Sequence, residues 1–222
     1  MRTYIALRNV QRRQLPREFQ SGDNRYADAL VEYFLELYTK PGDKVLDMFA
    51  GLGTTLLVAE DMGRVPFGVE YDRSRFEYIK SQVRHKTNVI HGDSQKLSSY
   101  GMPMVDFVMS SPSYMARDNE LNPLTGCSTE GDYDHYLNDL SGVFSQVKQI
   151  LKPNGYVVIE AANLKTSGVT TFAWDLAKKL SHVFYFEGEV VIGWEGEDTG
   201  CGIYGYGYDH SYCLVFRNLA QG

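Results

Sequence analysis

The sequence predicts an α/β fold: a three-layer, doubly wound, mostly parallel sheet of seven strands, ending in an antiparallel strand. Three observations carry that expectation. Short apolar runs alternate with segments of helical periodicity through most of the chain. A glycine-spaced bend, Asp47-Met48-Phe49-Ala50-Gly51-Leu52-Gly53-Thr54-Thr55, joins the apolar run Lys44-Val45-Leu46 to a helical pattern that stops at Gly63. The apolar runs also end in polar residues, at the strand ends where ligands sit in such folds.

The elements follow in order. Residues 1–25 form a basic arm with six arginines against two acids. Leu30, Val31, Phe34, Leu37 and Tyr38 then mark a helix over Tyr26–Tyr38, with Asp23 or Asn24 as its cap. Lys40-Pro41-Gly42-Asp43 is a turn into the first strand and the glycine loop. Pro66–Tyr71 is a second strand ending in acids, and Arg73–Arg84 a helix. Thr87–Ile90 is a third strand, ending at His91-Gly92-Asp93-Ser94, and Met104–Met109 a fourth, running into Ser110-Ser111-Pro112-Ser113-Tyr114. Met115–Tyr133 is a polar loop of the length that is usually functional. Leu137, Leu140, Phe144, Val147 and Leu151 mark a long helix, stopped by Lys152-Pro153-Asn154-Gly155. Tyr156–Ala162 is a buried parallel strand and Thr170–Ser181 the last helix. Phe184–Trp194 and Tyr212–Phe216 pair antiparallel across the Gly/Tyr-rich segment 195–209. With no linker and no repeat, residues 1–222 read as one domain.

Composition sets bounds on function. At 43% hydrophobic and 23% charged residues, the chain has an ordinary globular make-up, and no apolar run reaches the roughly 18–20 residues of a membrane span. Cys127, Cys201 and Cys213 are widely spaced and read as free thiols of a reducing cytoplasm. His210 with Cys213 and Cys201 lacks a C-x-x-C pair, so no metal is expected. The net charge of −6 gives no general attraction to a polyanion. Nucleic-acid contact would therefore fall to the arm, unless the arm is simply a solvated basic tail.

The glycine loop is built for a nucleotide-like ligand: glycines permit a sharp turn, and the helix start offers free N–H groups to an anion. A dinucleotide fingerprint would need a third glycine where Leu56 stands, and no Gly-Lys-Ser/Thr of a phosphate loop follows. Asp47, ahead of the glycines, would repel a pyrophosphate but suits a ligand carrying an ammonium group.

Asp47–Thr55 resembles motif I, D-x-F-x-G-x-G-T-T, of the S-adenosylmethionine-dependent DNA amino-methyltransferases, and Ser111-Pro112-Ser113-Tyr114 resembles their motif IV, [D/N/S]-P-P-[Y/F/W]. Gly68-Val69-Glu70-Tyr71-Asp72 and Leu151-Lys152-Pro153-Asn154-Gly155 are similar to the family's second strand and its turn before strand five. The resemblance spans roughly residues 24–217 and implies a Rossmann-like methyltransferase fold, DNA methylation of the restriction–modification kind, and S-adenosylmethionine as cofactor. It implies cofactor contacts from Asp47, Phe49, Ala50, Gly51, Gly53, Thr54, Thr55, Glu70, Tyr71, Asp93 and Ser94. Asp47 would face the ammonium, the amides of residues 51–55 the carboxylate, Glu70 the ribose hydroxyls, Tyr71 the adenine face and Asp93 its amino group. A plain turn residue is the second reading of Asp93.

The reaction requires acceptors for the hydrogens of a delocalised exocyclic amine. Ser111 Oγ and the Pro112 carbonyl are the two that the motif supplies, and Tyr114 is the ring for stacking on the base. Ser113 stands where the family has a second proline, so the loop should be looser; the change reads first as a tolerated variant, and otherwise as the mark of another substrate or of weakened activity. Serine in the first position is the family form seen most with cytosine-N4 enzymes, which places cytosine N4 ahead of adenine N6. Trp194 lies near where the family places a second stacking aromatic, and reads equally as core. No target-recognition segment lies between motifs I and IV or after the last strand. The loop 115–133, the arm, and Tyr204, Tyr206 and Tyr208 are then the candidates for reading a target, unless a separate recognition subunit or a homodimer supplies that surface. Structured RNA, methylated at guanine N2, and a non-catalytic partner subunit are the competing readings.

Overall fold

The computed structural model of the protein describes residues 2–21, 23–127, 129–196, 201–202 and 204–220. In chain order the elements are β1 (Tyr4–Arg8), α1 (Arg17–Gln20), α2 (Asp28–Tyr38), β2 (Lys44–Asp47), α3 (Thr54–Asp61), β3 (Val65–Glu70), α4 (Arg73–Gln82), β4 (Val89–His91), β5 (Val105–Ser110), α5 (Tyr133–Ile150), β6 (Leu151–Ala161), β7 (Leu164–Lys165), β8 (Val169–Thr170), α6 (Phe172–Leu180), β9 (Tyr185–Glu195) and β10 (His210–Arg217). The main sheet runs β1-β9-β10-β6-β5-β2-β3-β4, with β10 antiparallel to both neighbours and every other pairing parallel. This is the expected doubly wound α/β fold. The order of connection reverses between β2 and β5, where a crevice opens at the strand carboxyl ends.

The layers follow from period-two alternation with apolar residues on both faces. Leu46, Val108, Val157, Ile159, Leu214 and Phe216 face a core shared with α5 and α6. Their sequence neighbours Val45, Phe107, Met109, Val158, Cys213 and Val215 face a second core under α2 and α3. Both faces are covered, which is why the strands read as continuous apolar runs rather than alternating ones.

The sheet has one strand more than the seven expected. The extra strand is β1, from the arm, paired in parallel with β9 along the sheet's edge. The arm is accordingly not a solvated tail: Leu15 is buried, and Arg8, Arg12, Arg13 and Arg25 pair with Glu195, Glu32, Asp61 and Asp23. Helix α2 begins at Asp28, beyond the cap expected from Asp23 or Asn24, and Asp28 accepts a bond from the Arg12 amide (3.0 Å) instead. The turn 152–155 is absorbed into β6, with Asn154 in a left-handed conformation (φ 63°) and a register shift between Val105 and Phe107.

Leu56, which occupies the place of the fingerprint's third glycine, leans on Gly68 of β3. A Cβ at Gly68 would stand 2.6 Å from Leu56 Cδ2. The close approach of helix to strand is thus provided from the strand side. Gly68→Ala is expected to destabilise the fold by about 1–3 kcal/mol through overpacking, read by urea unfolding. An unchanged midpoint would show that α3 can shift freely.

Candidate active site

A cavity of about 410 Å³ opens over the carboxyl ends of β2, β3, β5 and β6. It is walled in part by Asp47, Phe49, Ala50, Gly51, Thr54, Glu70, Tyr71, Asp93 and Ser94. Asp47 is buried; its Oδ1 accepts from the Ser110 hydroxyl (2.5 Å) and the Phe49 amide (3.0 Å). Burial pushes this carboxyl up to about 6, against the pull of hydrogen bonds from Ser110, Phe49, Thr55 and Tyr26. Glu70 ties the glycine loop to β3, Oε2 accepting from the Gly51 amide (2.7 Å) and Oε1 from the Asp72 amide (2.8 Å). Its pKa is raised too, burial outweighing those amide bonds.

Two expected contact residues do not line the cavity. Gly53 (φ 84°) turns its α-carbon toward α4, where a Cβ would stand 3.1 Å from Ile79 Cγ1; its glycine serves conformation and packing. Thr55 is buried with its hydroxyl against that of Tyr26. Asp93 lines the cavity and also holds the turn after β4, Oδ1 accepting from the Gln95 amide (2.9 Å). Ser94 donates its hydroxyl to the Met48 carbonyl, binding that turn to the glycine loop. Tyr71 is half exposed and lies against Gly126 of the loop 115–133, so close that a Cβ there would meet its ring at 2.9 Å. Pro123 and Leu124 of the same loop wall the cavity. The arm does likewise through Glu18, Phe19, Ser21, Asn24, Arg25 and Tyr26.

The same cavity is also lined by Ser111, Pro112, Ser113 and Tyr114 with Glu160, Tyr204 and Tyr206. Ser111 Oγ donates to Glu160 Oε2 (3.0 Å), and the Tyr114 hydroxyl donates to the same oxygen (2.7 Å). The Tyr114 ring packs obliquely against Phe172 and Tyr206, with centroids 5.1 and 5.5 Å away. Tyr208 lies outside the cavity, its ring under the Lys165 ammonium (4.3 Å). Residues 197–200 and 203 of the Gly/Tyr segment fall outside the described residues. Trp194 is not in the cavity wall; it packs in the core with Val190 and Ile192, its indole N–H donating to Ser211 (2.9 Å).

Residues 9–81 match the family model described as DNA methylase. Among solved structures, the chain is similar to TrmN from Thermus thermophilus (TM-score 0.63, 18% identity, 91% of this chain and 53% of that one). It also resembles an S-adenosylmethionine-dependent methyltransferase from Methanosarcina mazei (TM-score 0.60, 11% identity, 85% of this chain and 98% of that one). A third likeness is to precorrin-6y C5,15-methyltransferase from Geobacter metallireducens (TM-score 0.55, 14% identity, 89% and 90%). Residues 9–81 are thus similar to the DNA methylases, and the fold is shared with S-adenosylmethionine-dependent methyltransferases. The chain spans about half the length of TrmN, and the structural likenesses give the fold while leaving the acceptor to be argued from the site.

The residues of this cavity fit S-adenosylmethionine. Asp47 is a buried carboxyl whose pKa is governed by burial, hydroxyls and an amide, with no cation among its influences, which suits it to a ligand's ammonium. The mixed polar and aromatic wall, and the volume, are those of a small-molecule site.

The motif IV loop is restrained despite Ser113. The hydroxyl of fully buried Tyr136 donates to the Ser113 carbonyl, holding from α5 what a second proline would hold through its ring. Tyr136→Phe is expected to cost about 1–2 kcal/mol and to lower turnover several-fold, measured by thermal unfolding and single-turnover methyl transfer. Full turnover in that variant would assign the bond to stability alone.

Glu160 was hidden in the sequence inside a run read as an uninterrupted apolar strand, Tyr156–Ala162. A carboxylate in such a run costs too much to bury without a purpose, and that was the available signal.

Proposed function

We propose that this protein moves the methyl group of S-adenosylmethionine to an exocyclic amine of a DNA base, cytosine N4 ahead of adenine N6. The observation that carries the reading is that the Asp47 loop and the Ser111–Tyr114 turn open on one cavity. Asp47 would hold the ammonium, the amides after Gly51 the carboxylate, Glu70 the ribose and Tyr71 the adenine. The cofactor supplies an electrophilic methyl group on a sulfonium. Ser111 Oγ, its proton engaged by Glu160, keeps its lone pairs for one hydrogen of the amine, and the Pro112 carbonyl takes the other. Held so by Ser111 and Pro112, the amine lone pair would be directed at the methyl group, the C–S bonding electrons would stay with sulfur, and the methylated ammonium, now acidic, would release a proton to solvent. Tyr114 offers a ring to the base, which must leave its duplex to enter.

Four of the arm's six arginines, Arg8, Arg12, Arg13 and Arg25, pair with acids, and Gly126 of the loop 115–133 leans on Tyr71. A recognition subunit or a second copy of the chain is therefore assigned the reading of the target sequence. The test is transfer of labelled methyl to DNA, tRNA and rRNA in parallel, followed by nucleoside mass spectrometry. N4-methylcytosine in DNA is expected. Label confined to RNA would overturn the DNA substrate, and absence of S-adenosylmethionine binding by calorimetry would overturn the enzymatic reading altogether.

A further inference from the structure

Glu160, at the carboxyl end of β6, lies in the cavity wall with one oxygen satisfied and one left over. Oε2 accepts from both Ser111 and Tyr114, whereas Oε1 is buried and makes no hydrogen bond. The side chain is only 2% exposed. Resting on the methyl-transfer reading above, we propose that Glu160 Oε1 reads the ring nitrogen beside the target amine, carrying a proton that it donates to cytosine N3 or adenine N1.

The argument is one of complementarity. Oε2 already receives two hydrogens, so a proton on this carboxyl is placed on Oε1. After burial, the groups that weigh most on this carboxyl are hydroxyls: Tyr114 and Ser111 from the motif IV loop, Ser211 from β10, and Tyr204. The Tyr204 hydroxyl stands near without a well-formed bond, and Cys213, paired opposite Glu160 across β6 and β10, and Tyr26 add no positive charge. Burial without a cation raises the pKa, in keeping with the neutral form.

Ser111 Oγ as acceptor beside Oε1–H as donor then makes a two-point pattern. Cytosine offers N4–H beside the N3 acceptor, and adenine N6–H beside the N1 acceptor, so both complement it. Guanine offers N2–H beside N1–H, which sets donor against donor. The same carboxyl thus positions Ser111 for the amine and excludes guanine from the site.

The test uses the intact chain. The methylated base is identified by nucleoside mass spectrometry, and an oligonucleotide containing that target is then made with 3-deazacytosine or 1-deazaadenine in its place. Each analogue keeps the amine and lacks the ring acceptor. The unaltered protein is expected to lose about tenfold to a hundredfold in kcat/KM on the analogue. Glu160→Gln, which retains an N–H donor, is expected to keep discriminating, while Glu160→Ala should be slow on both and discriminate between neither. An infrared difference spectrum of the unaltered protein against Glu160→Gln at neutral pH should show the carbonyl stretch of a protonated acid. An N2-methylguanine product, equal rates on the analogue, or absence of the acid stretch would overturn the role of Glu160 and leave methyl transfer standing. Absence of transfer to any nucleic acid would overturn both.

Discussion

Asp47→Asn is expected to weaken S-adenosylmethionine binding about a hundredfold while making the cofactor-free protein more stable. The two effects share one cause. A carboxyl raised from 3.8 to about 6 by burial is a charge the fold tolerates at a cost, and that gap corresponds to about 3 kcal/mol. The sign follows from linkage. The folded pKa lies above the unfolded one, so the associated stability is fully present below about 3.8 and is lost as pH rises through about 6. At neutral pH the cofactor-free protein bears the whole cost. Asparagine removes the charge and keeps an oxygen for the Ser110 hydroxyl and the Phe49 amide. It cannot pair with an ammonium, an interaction worth about 2–3 kcal/mol when buried. Calorimetry and thermal unfolding of the two proteins test both halves. The pH dependence is a second signature: above about 6 the affinity of the unaltered protein should be flat, and below it should fall about tenfold per pH unit, because binding must then expel a proton from Asp47. The asparagine variant should show no such break. A break that persists in the variant would assign it to another group, with Glu70 next in line.

That prediction depends on a residue legible from the sequence, and the contrast with less legible ones is physical. Asp47, Glu70, Asp93 and Ser111 could be placed because each follows an apolar run, and in a doubly wound sheet the end of a run is the mouth of the crevice. The fold of β2, α3, β5 and α5 was equally open, since their periodicity is set by burial on both faces. Strand β1 was not. An edge strand buries only Ile5 of its five residues, and its arginine reads as a tail. Gly53 was ambiguous for a related reason: a left-handed glycine looks alike in sequence whether a ligand or an isoleucine stands beside it. The hold of Tyr136 on Ser113 and of Ser111 on Glu160 join residues 23 and 49 positions apart, and periodicity carries no information about such pairs. The acceptor part of the site was therefore least open to reading, although it is the part that sets the substrate.

Ser111→Ala is expected to lower turnover about a hundredfold and to leave S-adenosylmethionine affinity nearly unchanged. The magnitude is that of removing one fixed dipole from a developing charge. The separation of the two effects follows from the hydrogen-bond partners: Ser111 bonds Glu160, whereas Asp47 is held by Ser110 and the Phe49 amide and Glu70 by the amides of Gly51 and Asp72. Two substitutions at Tyr114 divide the neighbouring contribution. Tyr114→Phe keeps the ring against Phe172 and Tyr206 and loses only the bond to Glu160, so base binding should persist with slower chemistry. Tyr114→Ala removes the ring as well, and a base–aromatic contact of about 1–3 kcal/mol should then appear in KM for the nucleic acid. Pre-steady-state methyl transfer with calorimetric cofactor titration separates these terms. Wild-type turnover in Ser111→Ala would remove the hydroxyl from the mechanism, and an unaltered nucleic-acid KM in Tyr114→Ala would move base stacking to Tyr206, which lines the same wall.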